Sequence, residues 1–581
     1  MATIPEPENL PLGISLPPGD PHGVSVHLPK WADTVGWASR EPRVLEAMKT
    51  GYPRFFVPRV VHQLAMRLLA GQQSDTAFAN DIGIHGEGEE RLATLLNAAR
   101  HGKVCRETLA EWSKAKKRGA KPPYIGVYAV AWDGKVSPVQ EEATPDESRP
   151  ASQIGEEDII LVTYPAELAP EAKSFWQHTG YGISSRRATY WLEHAPFLAD
   201  PASSKPSLSP AERSLSVIQA RAALKEQIAT GQSSPSHNLH VAPSDVFLFS
   251  SGMTAITELA TAIKSLRPPT PGSPYRVAVF GFLYVDTFKV LSRILNFTPT
   301  LYHYSPPSLT ALSTLLTHTH IDAVFTEFPG NPLLQTPDLT QLSHLARQHA
   351  FTLVVDDTVG THASVRTLRV ADVVCSSLTK MFSGGCNVMG GVVVLNPGSG
   401  FYGRLRGVLE RGREEAEGAW FGEDVVVMEG NGRDFGGRVE RVGRNAEVVV
   451  GVLRGSAVVR EVYYPLGGPT QELYDRFRVE GGRYGFLVSI RFREKAQAVA
   501  FYDALDVAKG PSLGTNFTLC CAYTLLAHYN ELEWAAEYGV VEDLVRISVG
   551  LEDRAWLEER VGRALKAAEG VVVGEGRGIK L

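Results

Sequence analysis

Lys380 follows a run of hydroxyls and small residues, Ser376-Ser377-Leu378-Thr379. It precedes two glycine pairs, Gly384-Gly385 and Gly390-Gly391. A lysine amine in such a setting can attack a carbonyl or hold a cofactor aldehyde as a Schiff base. On this stretch alone, a solvated loop lysine is the alternative. Asp356 closes the apolar run Leu353-Val354-Val355. A carboxylate at the end of a buried strand needs a partner. A protonated pyridine nitrogen would serve, as would a helix cap or a plain ion pair. Ser250-Ser251-Gly252-Met253 follows another apolar run. The free N–H groups and dipole of a helix starting there favour a phosphate, and glycine lets the backbone come close. A serine cap with a tight turn is the other reading. Tyr284 can stack on a flat ring or pack in the core. Asn331, between Gly330 and Pro332, can offer an amide to a phenolic oxygen or serve only its turn.

These groups share one placement, the end of a short apolar run. Residues 246–249, 277–280, 323–326, 353–356, 372–375 and 391–395 read as strands of the kind buried on both faces in parallel sheets. Helical patterns at 254–266 and 339–349 alternate with them. The rhythm predicts an α/β domain with a mostly parallel central sheet and a ligand at the carboxyl ends of its strands. Phosphate cradle, stacking ring, phenolate partner, pyridinium partner and amine occur there in order. Together they describe a site for pyridoxal 5′-phosphate (PLP).

After Asn396 strands at 461–465, 485–492 and 544–549 alternate with helices at 495–505 and 554–568, which predicts a smaller α+β C-terminal domain. Residues 404–418 and 442–453 read as further helices. Residues 58–70 form an amphipathic helix by spacing, and 124–132 and 158–164 read as strands. Residues 133–157, 200–209 and 231–240 read as surface loops. The division expected is 1–170 as an N-terminal extension acting as a cap or oligomer contact, 171–400 as the cofactor-binding domain, and 401–581 as the small domain. Gly574–Gly578, with no helix after it, reads as a tail and not a dinucleotide fingerprint.

Composition narrows the class. The 581 residues are 44% hydrophobic and 21% charged, with formal net charge −6. That balance gives no reason to expect nucleic acid or a membrane surface as a partner. No apolar run approaches the ~20 residues of a membrane span. The five cysteines are odd in number and lack CxxC spacing, which argues for a reducing compartment and against a disulfide framework or a metal site. No secretory or mitochondrial leader is visible in the first residues, so a cytoplasmic location is expected. The basic cluster Lys114 to Lys121 reads as a solvated helix end, with a nuclear signal or an anion patch as the alternatives.

HTGYGISSRR, FLYVDTFKVL, TEFPGNPLLQTPDL, VVDDTVGT, SSLTKMFSGGCNVMGG, GPSLGTNFTL and LVRISVGLED resemble the cysteine/methionine-metabolism family of PLP-dependent enzymes. More closely they resemble its fungal cystathionine γ-synthase branch. PHGVSVHLPKW and TGYPRFF resemble that branch's long extension. The resemblance implies a fold-type I transferase. It makes Lys380 the Schiff-base lysine, Asp356 the partner of the ring nitrogen and Tyr284 the stacking ring. Gly252, Met253, Ser377 and Thr379 become phosphate ligands, joining Ser251 of the cradle, and Asn331 lies near the phenolic oxygen. Arg546 and Ser512 meet the substrate carboxylate. Arg186 reaches a neighbouring subunit's phosphate, which implies a dimer or tetramer with shared sites. The implied activity is γ-replacement on an O-acyl-L-homoserine by L-cysteine, giving L-cystathionine. The rivals are a specialised-metabolism relative using another nucleophile, and a sulfhydrylase. The family's tyrosine two residues before that arginine is here Ser184, and a glutamate after SLG is here Phe517. Nucleophile choice is therefore expected near those two positions.

Overall fold

The computed structural model describes Pro7, 10–50, Tyr52, 56–73, 90–116, 123–139, 158–198, 210–268, Thr270 and 272–572. At the N-terminal end, β1 (Ser15–Leu16) and β2 (Ser25–Val26) form a small antiparallel ribbon. β3 (Arg91–Leu96), β4 (Gly126–Val130), β5 (Val136–Pro138) and β6 (Ile159–Pro165) form a separate antiparallel sheet in the order β3-β6-β4-β5. β6 is buried along its whole length, as expected of a central strand with helices packed on it. β5 lies within the stretch expected to be loop. Residues 140–157, 199–209, 117–121 and 574–578, on which other loop, cluster and tail expectations fall, lie outside the described residues.

The central sheet is built from β7 (Val246–Phe249), β8 (Arg276–Phe280), β9 (Thr298–Tyr302), β10 (Ala323–Glu327), β11 (Thr352–Asp356), β12 (Val373–Ser377) and β13 (Gly391–Leu395). Its order is β7-β13-β12-β11-β10-β8-β9. β8 to β12 are mutually parallel, and β13 runs antiparallel to both its neighbours. No helix intervenes between Ser377 and Gly391, so the chain lacks the crossover that a parallel return needs. β9 was not legible as a strand. It carries Pro299 and alternates exposed with half-buried positions, which suits a sheet edge.

β14 (Val459–Tyr463), β15 (Leu487–Phe492), β16 (Ala508–Lys509), β17 (Leu519–Ala522) and β18 (Val545–Ser548) make the C-terminal sheet, in the order β14-β15-β18-β17-β16. Helices Phe435–Arg454 and Lys495–Ala504 pack against it, and helix Arg554–Glu569 packs against both of them.

Residues 10–50 do not join the β3–β6 sheet. They lie across the C-terminal domain. Leu28 N donates to Lys509 O at 2.9 Å, Trp31 N to Asp503 Oδ1 at 2.7 Å, and Tyr502 Oη to Leu28 O at 2.8 Å. Val26, Leu28, Val44 and Met48 share one apolar cluster with Phe282, Cys521 and Tyr523. Among the described residues, no helix is long and apolar enough to cross a membrane.

Candidate active site

A cleft opens at the carboxyl ends of the central strands, with the C-terminal sheet forming its far wall. Parallel pairing puts Glu327 opposite Asp356 and Asp356 opposite Cys375, so the loops after β10, β11 and β12 leave the sheet together. Ten of the twelve residues singled out from the sequence line this cleft: Ser251, Gly252, Met253, Tyr284, Asn331, Asp356, Ser377, Thr379, Lys380 and Arg546.

On one side is helix Gly252–Ser265, which Ser251 caps by accepting from Thr254 N at 3.1 Å. A Cβ on Gly252 would sit 2.8 Å from Ser377 Cβ and 3.0 Å from its Oγ. Glycine is thus what lets the helix start approach the Ser377 hydroxyl. Helix N–H groups and hydroxyls converging on one spot form a phosphate cradle. Thr379 Oγ1 also lines it, anchored by an N–H from Gly390 at 3.1 Å.

Asp356 sits at the cleft floor. Its Oδ1 accepts from Thr358 N at 2.9 Å, and among the described residues no Lys, Arg or His forms an ion pair with it. Burial raises its pKa, against the pull of the Thr358 hydrogen bonds. A buried carboxylate lacking a protein cation is suited to a protonated pyridine nitrogen. Glu327, beside it, accepts from Tyr284 N at 2.7 Å and Asn331 N at 2.9 Å. It thereby ties the ring-stacking candidate to the amide candidate. Burial and the neighbouring Asp356 charge push its pKa up.

Arg546, on β18, is buried. Its Nη1 donates to Asn331 Oδ1 at 3.1 Å, and its Nη2 donates to Pro511 O at 3.0 Å and Ser512 O at 3.1 Å. No described carboxylate pairs with it. Held by three neutral oxygens, the guanidinium keeps its charge for an incoming carboxylate. Ser512 meets it through its carbonyl and does not itself line the cleft.

Lys380 is 8% exposed. Gly514 has φ +66°, and a Cβ there would lie 2.4 Å from Met381 N. That left-handed turn lets the 511–514 loop pass directly behind the lysine. The Lys380 amine, the acidic floor, the hydroxyl-lined helix start and a guanidinium with no carboxylate partner among the described residues fit PLP bearing an amino-acid substrate.

Arg186 lies outside the cleft. It pairs with Asp424 and donates to Asn387 O at 3.0 Å, in an adjoining cleft that shares Ser251 and Met389. Ser184 and Phe517, near which nucleophile choice was expected, lie outside the Lys380 cleft, and Ser184 lines the adjoining one. Ser184 caps helix Ser185–His194 by accepting from Arg187 N. Phe517 packs with Leu16, Val24 and Leu519. Neither lines the cleft.

Sequence reasoning missed Tyr52 and gave Glu327 no role. Tyr52 Oη accepts from Lys380 Nζ at 2.5 Å across 328 positions of chain. No periodicity marks Tyr52. Glu327 did carry a signal, as an acid ending a buried strand.

Residues 237–566 match the family described as Cys/Met metabolism PLP-dependent enzyme, and 61–184 match that described as fungal trans-sulfuration enzyme, N-terminal domain. The chain is 35% identical to a cystathionine gamma-synthase of Neurospora crassa, over 96% of this chain and 98% of the relative. It is 32% identical to the cystathionine gamma-synthase-like enzyme iboG2 of Amanita muscaria, over 98% of each. The crystal structure of cystathionine gamma synthase from Xanthomonas oryzae pv. oryzae in complex with aminoacrylate and cysteine is similar at TM-score 0.50 and 25% identity. That match covers 59% of this chain and 88% of that one.

Proposed function

Since the chain belongs to the Cys/Met metabolism family of PLP-dependent enzymes, we propose that it catalyses γ-replacement on an O-acyl-L-homoserine by L-cysteine, giving L-cystathionine, in trans-sulfuration. The observation that carries the reading is the convergence of Lys380, Asp356 and Arg546 on one cleft, in a chain similar along its length to a cystathionine gamma-synthase.

The helix start at Gly252, with Ser251, Ser377 and Thr379, would hold the cofactor phosphate. Tyr284 would face the ring, Asn331 would bind the phenolic oxygen, and Lys380 would hold the aldehyde carbon. Once bound, the cofactor supplies an electron sink for the pair left when a proton leaves the substrate α-carbon. Asp356 holds a proton at the ring nitrogen. Arg546 fixes the substrate carboxylate and so orients the α-carbon. The Lys380 amine takes up and returns protons there as general base and acid. Ile256, Leu513 and Leu526 on the cleft wall exclude water from the developing charge.

The same reading makes the enzyme a homodimer or a dimer of dimers with sites shared between subunits. Arg186, which lies outside its own cleft, would then serve another subunit's site. It also puts the enzyme in the cytoplasm, in keeping with five free, buried cysteines. A second reading, a specialised pathway with another nucleophile, is favoured by the 32% identity to the Amanita muscaria enzyme.

The test offers purified enzyme O-acetyl-L-homoserine with cysteine, with sulfide or with neither. Cystathionine formed preferentially with cysteine supports the first reading. Homocysteine from sulfide as the preferred product overturns it, and a product with neither thiol directs attention to the second.

A further inference from the structure

We propose that Tyr52, carried by the N-terminal segment of the same chain, is a positioning residue for the Lys380 amine. The proposal rests on the reading that Lys380 carries the cofactor.

The side chain makes two contacts with one atom. Its Oη accepts from Lys380 Nζ at 2.5 Å, and Nζ lies 4.4 Å from its ring centroid. An acceptor oxygen and an aromatic face each attract the lysine head group. Together they hold the lysine head inside the cleft when it is not bonded elsewhere.

Tyr52 is 8% exposed and lines the cleft. It is not a loose surface ring that happens to fold inward. On one side the chain is fixed by Lys49 N donating to Gly13 O at 3.1 Å, and Gly13 N to His27 O at 2.9 Å. On the other, Phe56 N donates to Tyr52 O at 3.1 Å, and Phe56 packs in the cluster that holds Phe282, Tyr523 and Leu526. Tyr523 and Leu526 are themselves cleft walls. Thus the extension, whose residues 10–50 dock on the C-terminal domain, delivers a phenol to the reacting end of the lysine.

The other titratable groups around this amine are Tyr284, Glu327, Asp356, Cys521, Tyr523 and Arg546 in the cleft, with Cys386 behind it. None of their side chains hydrogen-bonds Nζ among the described residues. Tyr52 therefore has a role that none of them duplicates.

The experiment compares Tyr52→Phe with the unaltered enzyme, and uses Lys380→Ala as the control on the parent reading. Cofactor-free protein is mixed with pyridoxal 5′-phosphate at one fixed pH, and the growth of the protein-bound absorption band is followed. Removing the acceptor oxygen leaves the amine less well aimed, so the rate of band growth falls by about tenfold. In the loaded enzyme kcat falls about 10²-fold while KM changes less than about threefold. Cofactor content per chain stays unchanged, because the ring remains in place. An unchanged rate of band growth overturns the proposal. So does a Tyr52→Phe enzyme that loses cofactor while its loaded fraction keeps the original kcat, since that marks a purely structural residue. Tyr52→Ala, read for the same rate, decides the case if Tyr52→Phe is poorly folded. If Lys380→Ala retains the bound absorption band, the parent reading fails. If it loses the band and Tyr52→Phe is unaltered, only the role of Tyr52 fails.

Discussion

Glu327 and Asp356 stand side by side, paired in register at the carboxyl ends of β10 and β11. Both face the same cleft, and among the described residues neither has a cationic partner. Two buried carboxyls at that spacing cannot both carry charge without cost, and burial raises the pKa of each. Glu327 is raised from 4.5 to about 8. A carboxyl whose folded value exceeds its unfolded value binds its proton more tightly when folded. Its stabilising contribution is therefore complete below 4.5 and is lost as pH rises towards about 8. Cofactor-free protein should melt at falling temperature across that window. Glu327→Gln should flatten the dependence, as read by calorimetry over the same pH series.

Asp356→Asn removes the negative charge and preserves the shape. The hydroxyl and helix-start cradle is untouched, so cofactor content should remain. Turnover should fall by at least about 10²-fold, because an amide does not hold a proton on the ring nitrogen. Cofactor stoichiometry and kcat measured on one preparation separate the two effects.

Arg546→Lys keeps the charge and loses the fork. Its bonds to Asn331, Pro511 and Ser512 orient a planar group, and an ammonium reproduces neither that anchoring nor a two-point grip on a carboxylate. Losing one charged hydrogen bond costs about 1.5–3 kcal/mol, which corresponds to a KM raised about 10- to 150-fold. Steady-state kinetics against O-acetyl-L-homoserine checks this.

His27 clamps the N-terminal segment. Its Nδ1 accepts from Lys509 N at 3.2 Å. Burial, then the Lys509 charge, lower its pKa from 6.5 to about 4. A histidine lowered by folding is held neutral, so its contribution is complete above 6.5 and is lost as pH falls towards about 4. Hydrogen exchange in residues 10–50 should quicken across that range before the central strands respond. His27→Gln should remove the difference.

The central sheet was legible because its strands are short apolar runs ending in chemistry. Asp356, Lys380 and Ser251 stand at strand ends by sequence pattern alone. The edge strand β9 was hidden by Pro299 and its half-exposed pattern. The direction of β13 depends on a missing crossover, which composition does not mark. The largest gaps come from residues 10–50. Phe517 was expected to shape the cleft, yet it turns away because Leu16 and Val24 arrive from far along the chain to cover it. Tyr52 was missed for the same reason. Both positions depend on tertiary docking, and local pattern carries no record of it.

The seating of Leu28 and Trp31 on Lys509 and Asp503 also sets an order in time. The stretch synthesised early must wait for a surface synthesised late. While the chain is still growing, the strands of the central sheet can assemble as they emerge. Phe56, four residues after Tyr52, has no wall to settle against until Tyr523 and Leu526 exist. The cleft is thus finished by its beginning and its end together, and a chain stopped short of either holds the lysine without the phenol beside it.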